Sequence, residues 1–309
     1  MKTPGPLGFA TPVGAFWSRL RSSRHLRADL ALLAVTLVWG STFVLMQESV
    51  RVLPPYRFLA LRFGVGSLVM LVLYGRRLWR APRRQVAVAA AIGATLFAGY
   101  ASQTIGLQFT TAARSGFVTG LAVVLVPVIG VILLRQRPPL GAVAGVALAT
   151  AGLFFLSWPG WEGTSATVLR GDLITLVCSV AFAVQIVLVG KYAPAMDPMA
   201  LTTVQLLAVT LLSGLFSLGE APSVATDVPP WLWAGIVFMG VAATALAFAV
   251  QSKAQRFTTP THVALIFAME PVFSAFFAWL LTGEVLTGRS LVGCLLILSG
   301  MIVAETRSS

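Results

Sequence analysis

Charged residues interrupt this chain at the intervals of membrane-spanning helices. Uncharged stretches cover residues 30–47, 63–75, 85–113, 115–134, 138–161, 173–190, 198–219, 228–252 and 290–304. Another apolar run follows His262, is broken by the single acid Glu270, and continues to Gly283. A bilayer core needs about 20 residues of helix, with a range of about 17–25. The pattern predicts ten spans, near 29–47, 58–75, 86–104, 113–133, 140–157, 172–190, 199–219, 231–251, 262–281 and 289–304. The runs are continuous rather than alternating. Helices, which satisfy their own backbone hydrogen bonds, are therefore expected over a barrel.

Composition removes the soluble alternative. Hydrophobic residues make up 57% of the 309 and charged residues 10%, against about 45–50% and about 25% in soluble domains. Disordered chains are polar and charge-rich, so disorder is excluded as well. The two cysteines, Cys178 and Cys294, sit in apolar runs and read as small hydrophobic filler rather than a disulfide or metal framework.

The net charge of +12 could suggest nucleic acid, but the placement of the bases favours a membrane. With ten spans both termini share one side. Sixteen of the 22 bases then fall on that side, five on the other, and Arg62 lies inside the second span. Such a bias marks the cytoplasmic face, so both termini are expected inside. Residues 1–28 hold bases and no acid before Asp29, and read as a cytoplasmic basic tail.

The chain also repeats itself. Phe109-Thr110-Thr111-Ala112 returns as Phe257-Thr258-Thr259-Pro260, 148 positions later, and Gly145 and Gly152 return as Gly293 and Gly300 at the same offset. Asp29-Leu30 returns as Asp172-Leu173, and Pro55 as Pro198, both 143 positions later. Each half holds five spans. Five is odd, so the second half enters the membrane inverted relative to the first, an arrangement typical of transporters with a midplane site between the halves. The expected halves are residues 29–158 and 168–304.

Several motifs fall in order on these spans. The first span carries Leu37-Val38-Trp39-Gly40-Ser41-Thr42-Phe43. The third and fourth carry Gly106-Leu107-Gln108-Phe109-Thr110-Thr111-Ala112-Ala113, then Phe117-Val118-Thr119-Gly120-Leu121 and Val126-Pro127. The ninth carries Glu270-Pro271-Val272-Phe273, then Leu280-Leu281-Thr282-Gly283-Glu284. Together they resemble the EamA family of the drug/metabolite transporter superfamily over about residues 28–304. The resemblance implies an all-α integral membrane protein, a ten-helix bundle of two inverted five-helix repeats around a central cavity, working by alternating access on small metabolites. The first half departs from the family pattern with Arg135-Gln136-Arg137, where many members carry an acid after the fourth span.

Candidate site residues follow from cost and placement. A charge at the bilayer centre costs about 2.5–3.5 kcal/mol on insertion scales, so Glu270 should face the bundle interior. It reads either as a proton-coupling or substrate-contact acid, or as a structural partner of the backbone freed by Pro271. Trp39, Ser41, Thr42 and Gln47 on the first span read as cavity lining, mainly through the resemblance; packing and self-bonding within the helix are the plainer reading. Gln103, Gln185 and Gln251 suit either a polar solute or interhelical hydrogen bonds. Arg114, at the start of the fourth span, reads as a base snorkelling to the interface before it reads as an anion site.

Enzyme motifs are missing: no histidine cluster, no intramembrane aspartate pair, no rhomboid-like serine motif and no phosphate-binding loop. No metal or cofactor is expected. The reading is a multi-pass inner-membrane secondary transporter or facilitator, an exporter of small metabolites such as amino acids or drug-like compounds. Its expected partners are a small-molecule substrate, the lipid bilayer and no nucleic acid. A proton is the candidate coupling ion, and the protein is expected as a monomer or weak homo-oligomer. The competing classes are a membrane enzyme acting on lipid-linked substrates and a non-transporting membrane scaffold.

Overall fold

The computed structural model describes residues 24–110, 112–135, 137–157, 165–220, 228–282 and 287–306. Among them the regular structure is helical throughout, with no strand. The elements are α1 (Arg24–Val52), α2 (Pro55–Trp79), α3 (Arg83–Gly106), α4 (Ala112–Gly120), α5 (Ala122–Leu134), α6 (Leu140–Ser157), α7 (Ala166–Tyr192), α8 (Pro198–Ser217), α9 (Pro230–Gly240), α10 (Ala247–Ala254), α11 (Pro260–Phe267), α12 (Glu270–Thr282) and α13 (Gly288–Thr306). A π-helical segment, Val241–Leu246, joins α9 to α10.

Among the described residues, seven helices are long and apolar enough to cross a membrane, and α1, bent by 45° between Thr42 and Leu45, makes an eighth if it is counted as one span. The apolar helices Leu140–Leu156 and Gly288–Ala304 are shorter. Large apolar side chains point outward along these helices, among them Leu68 and Val72 of α2 and Leu211 and Leu215 of α8. Lipid, as apolar as these side chains, makes such a surface cheap. The protein is therefore a multi-pass membrane protein.

Helix starts follow sequence chemistry. Pro55, Pro198, Pro230 and Pro260 occupy first turns, where a missing N–H costs nothing. Asp197 caps α8, its Oδ1 accepting from the N–H groups of Met199 and Ala200 at 2.9 Å each, and Thr259 caps α11 through the N–H of His262 at 3.3 Å. The carboxylate of Glu220 accepts from the backbone N–H groups of Tyr56 and Arg57 at 2.7 and 3.0 Å, closing the start of α2 from the far end of the chain.

Sequence spans and helices differ at several points, three of which follow. The helix expected from 29 begins at Arg24, so residues 24–28 of the expected tail belong to α1, and residues 1–23 lie outside the described residues. The expected span 113–133 is interrupted between Gly120 and Ala122. The expected span 262–281 breaks at Ala268 and Met269, immediately before Glu270. Pro271 thus stands in the first turn of α12 and leaves no helical hydrogen bond unmade by its missing N–H. Gln136 and Glu284, the points of departure between the halves, lie outside the described residues.

Helix α6 packs along α13, α2 along α8, and α3 against both α7 and α8. Small residues set the first of these contacts. A Cβ on Gly152 would lie 2.6 Å from the Gly293 carbonyl oxygen, and one on Gly145 would lie 2.6 Å from the Gly300 carbonyl oxygen. Backbone meets backbone there, as in membrane helix pairs built on small residues.

Candidate functional site

The π-helical segment is held from two sides. From α1, Trp39 Nε1 donates to the Ala243 carbonyl at 2.8 Å. From α2, Arg62 Nε donates to Thr244 Oγ1 at 3.0 Å. Gly66 and Gly240 let the two elements approach: a Cβ on Gly66 would stand 2.9 Å from Thr244 Cγ2, and one on Gly240 would stand 2.9 Å from the Arg62 carbonyl. Single π-turns inside α-helices frequently mark functional sites, and this one brings a tryptophan and a buried arginine together.

Arg62 is 3% exposed. Its guanidinium lies 5.0 Å from the Tyr100 ring centre and 5.6 Å from that of Phe63, within cation–π range. Its Nη1 also reaches the Met46 sulfur at 3.9 Å, a weak acceptor. Around it the aromatic rings are contiguous. Tyr100 stands edge-on to Phe63 at 4.9 Å and to Phe182 at 5.1 Å. Phe248 lies 6.2 Å from Tyr100 and 5.7 Å from Trp39, and Trp39 stands edge-on to Phe267 at 4.9 Å.

Glu270 is half-buried at the start of α12. Helix α1 comes close to it because Gly40 has no side chain; a Cβ there would lie 3.1 Å from the Glu270 carbonyl and 2.7 Å from Phe273 Cβ. No described residue hydrogen-bonds or pairs with its carboxyl group, yet its charge and that of Arg62 act on each other through space. Tyr100 and Cys178 also feel it.

The other sequence candidates divide. Ser41 donates to the Val38 carbonyl at 2.8 Å and Thr42 to the Trp39 carbonyl at 3.0 Å, both within α1. Gln47 is half-buried, past the bend of α1. Gln103 Nε2 donates to Thr119 Oγ1 at 3.3 Å, linking α3 to α4. Gln185 and Gln251 belong to a buried amide chain. Gln185 Nε2 donates to Gln205 Oε1 at 3.1 Å, Gln251 Nε2 donates to Gln185 Oε1 at 3.1 Å and to Gln255 Oε1 at 3.0 Å, and Gln255 Nε2 donates to the Ile186 carbonyl at 2.9 Å. Two atoms of that chain, Gln205 Nε2 and Gln251 Oε1, are buried without a partner.

Sequence reasoning passed over Arg62. The criterion that selects Glu270, a charge inside an apolar span, selects Arg62 equally well, but Arg62 entered only as the one base left inside a span when the two sides were counted. Arg114 proves to be buried rather than snorkelling. Its Nε donates to Asp172 Oδ2 at 2.9 Å, its Nη2 donates to the same oxygen, and Thr110 Oγ1 donates to Asp172 Oδ1 at 2.7 Å. At the start of α1, Asp29 Oδ1 lies 3.2 Å from Nε2 of His262 on α11.

Comparison with known sequences gives this architecture a family. The EamA-like transporter family model matches residues 26–158 and again residues 169–306. The chain belongs to the EamA-like transporter family. An uncharacterized transporter of Archaeoglobus fulgidus is 30% identical over 92% of this chain and 87% of its own length. The uncharacterized transporter YoaV of Bacillus subtilis is 24% identical over 90% of this chain and 96% of its own. The uncharacterized inner membrane transporter YhbE of Escherichia coli is 25% identical over 82% of this chain and 80% of its own. A solved crystal structure shares the fold with a TM-score of 0.77 at 23% identity, covering 91% of this chain and 96% of that one. Family and relatives point to a membrane transporter, with a small-molecule solute and a lipid surround, rather than to an enzyme.

Proposed function

We propose that this EamA-family protein is a secondary transporter that exports small metabolites, of the size of amino acids or drug-like compounds, by alternating access. Its ten spans form two inverted five-helix repeats, residues 29–158 and 168–304, in the plasma membrane with both termini cytoplasmic. Seven membrane-length helices, the bent α1 and two shorter apolar helices support the count of ten.

One observation carries the two-fold arrangement. Contacts recur with their partners exchanged. Gly145 meets Gly300, and their counterparts at the 148-residue offset, Gly293 and Gly152, meet each other. Asp29 meets His262, while Asp172, its counterpart at 143, meets Arg114, the counterpart of His262 at 148. Exchange of this kind is the signature of a pseudo-two-fold axis. In transporters built this way the site lies where the repeats meet.

The solute path runs past Trp39, Thr42 and Glu270. Ser41, Gln47, Gln103, Gln185 and Gln251 lie along it or hold its walls, and Glu270 is the coupling acid. A wet cavity favours its charged form and a closed, dry one its neutral form, so its proton can bias the conformational equilibrium. Working as a monomer or weak homo-oligomer, the protein needs no cofactor.

An efflux and uptake screen of metabolites in proteoliposomes, with and without a pH gradient, tests this reading. The expectation is solute movement above that of protein-free liposomes, altered by the gradient. If no solute of the screen moves faster than through protein-free liposomes, the transport reading fails.

A further inference from the structure

The deepest charge in the molecule points to what the site holds. Of the 22 bases, Arg62 alone lies inside an expected span rather than at an end or in a loop. An arginine there is expensive, and such residues mark substrate or ion pathways. Its guanidinium has five N–H donors. Among the described residues their acceptors are two hydroxyls, Thr244 Oγ1 and that of Tyr100, and one weak acceptor, the Met46 thioether. No carboxylate of a described residue comes within 4.0 Å of it, the reach that counts as an ion pair. Fixing the π-helical segment needs a single neutral donor to Thr244. A full charge on a planar fork is more than that task requires.

We propose that Arg62 anchors the acidic group of the transported solute, and that the solute is an organic monoanion with a flat apolar body, an arylalkyl carboxylate or a close analogue. The inference rests on the transporter reading and names its substrate class. The planar guanidinium fork matches a carboxylate in two parallel N–H···O bonds. One arginine answers one negative charge, whereas a phosphate monoester would bring nearly two. The flat body follows from the aromatic neighbours of the guanidinium. Tyr100 and Phe63 lie against the guanidinium, and Phe248, Trp39 and Phe267 continue the aromatic surface away from it.

Binding in detergent tests this without requiring transport. Purified protein is titrated with 3-phenylpropionate, trans-cinnamate and phenylacetate, each against its own primary amide, and affinities are read from ligand-induced shifts in melting temperature. A hydrogen bond to a charged group contributes about 1.5–3 kcal/mol, so the wild type should bind at least one carboxylate roughly tenfold or more tighter than its amide. Arg62→Gln should erase that preference. Arg62→Lys keeps the charge without the fork and should retain only part of it, which keeps the test decisive if the glutamine variant does not fold. Equal affinity of the wild type for every acid and its amide overturns the proposal. So does an acid preference that is undiminished in Arg62→Gln or, where that variant does not fold, in Arg62→Lys. Proteoliposome flux of the same pairs separates the two readings. Carboxylates that bind through Arg62 yet never cross contradict transport and leave the anchor, while amides and acids that cross alike in wild type and Arg62→Gln leave transport and remove the anchor.

Discussion

Two places in the molecule use the same acid with different bases. Where α4 meets α7, Asp172 is held by Arg114 and Thr110 in three hydrogen bonds, with side chains 6% and 13% exposed for Arg114 and Asp172. Where α1 meets α11, Asp29 faces His262 across 3.2 Å, with side chains 18% and 15% exposed. The first contact is charged at every pH, because arginine does not lose its proton in proteins. The second is an ion pair only while His262 is protonated, and histidine is the side chain whose charge changes within the physiological range. On the two-repeat reading these are opposite ends of one solute path. The difference teaches that one end closes on a pair whose charges are fixed and the other on a pair whose charge depends on conditions.

The largest expected effect breaks the fixed end. Asp172→Asn leaves Arg114 buried without its counter-charge, a loss of about 3–5 kcal/mol. A large fall in melting temperature of the purified protein, or failure to accumulate in the membrane, is the outcome to look for. A melting temperature within a degree or two of wild type would remove the distinction between the ends.

Asp29→Asn should cost less, about 1 kcal/mol, since Asp29 Oδ1, though 3.2 Å from His262 Nε2, makes no hydrogen bond among the described residues and the histidine can remain neutral. The penalty should itself depend on pH. A contact made by protonated His262 is present on the acid side and lost as pH rises, so wild type and Asp29→Asn should differ most in acid and converge in alkali. Melting curves across the range from about pH 5 to 8 check the sign.

The smallest effect sharpens the comparison. His262→Arg gives the second contact the permanent charge of the first. Its melting temperature should exceed wild type by an amount worth a few tenths of a kcal/mol to about 1 kcal/mol, and only on the alkaline side. A gain of equal size at every pH would show that proton loss from His262 plays no part.

Much of the fold was legible because lipid imposes a simple rule. A run such as Val228–Ser252 contains no charge, and a backbone crossing hydrocarbon must close its own hydrogen bonds, so its helicity follows. What escaped is what that rule does not govern. The interruption before Glu270 falls at Ala268 and Met269, in the turn that Pro271 disrupts through its ring and missing N–H, although the apolar run across it reads as one continuous span. The π-helical turn at Val241–Leu246 is written in ordinary small and aliphatic residues, and its evidence is tertiary, in Trp39 and Arg62. Of the candidate site, Trp39 and Glu270 stand out in the sequence of the first and ninth spans. The pairing of Asp29 with His262, and of Gln185 with Gln205 and Gln251, joins residues that no local pattern connects. Arg62 was visible all along as a charge among apolar neighbours.

Alternating access requires that each of the two contacts open in turn, and cross-linking each end tests that most directly. Paired cysteines replace Arg114 and Asp172 in one protein and Asp29 and His262 in another, in a background without Cys178 and Cys294. Each pair is bridged by a short thiol-to-thiol reagent after reconstitution, and transport of the solute identified by the proteoliposome screen is followed. The account predicts that unbridged proteins transport and that bridging either end alone stops net transport. Undiminished transport with either end bridged would contradict it.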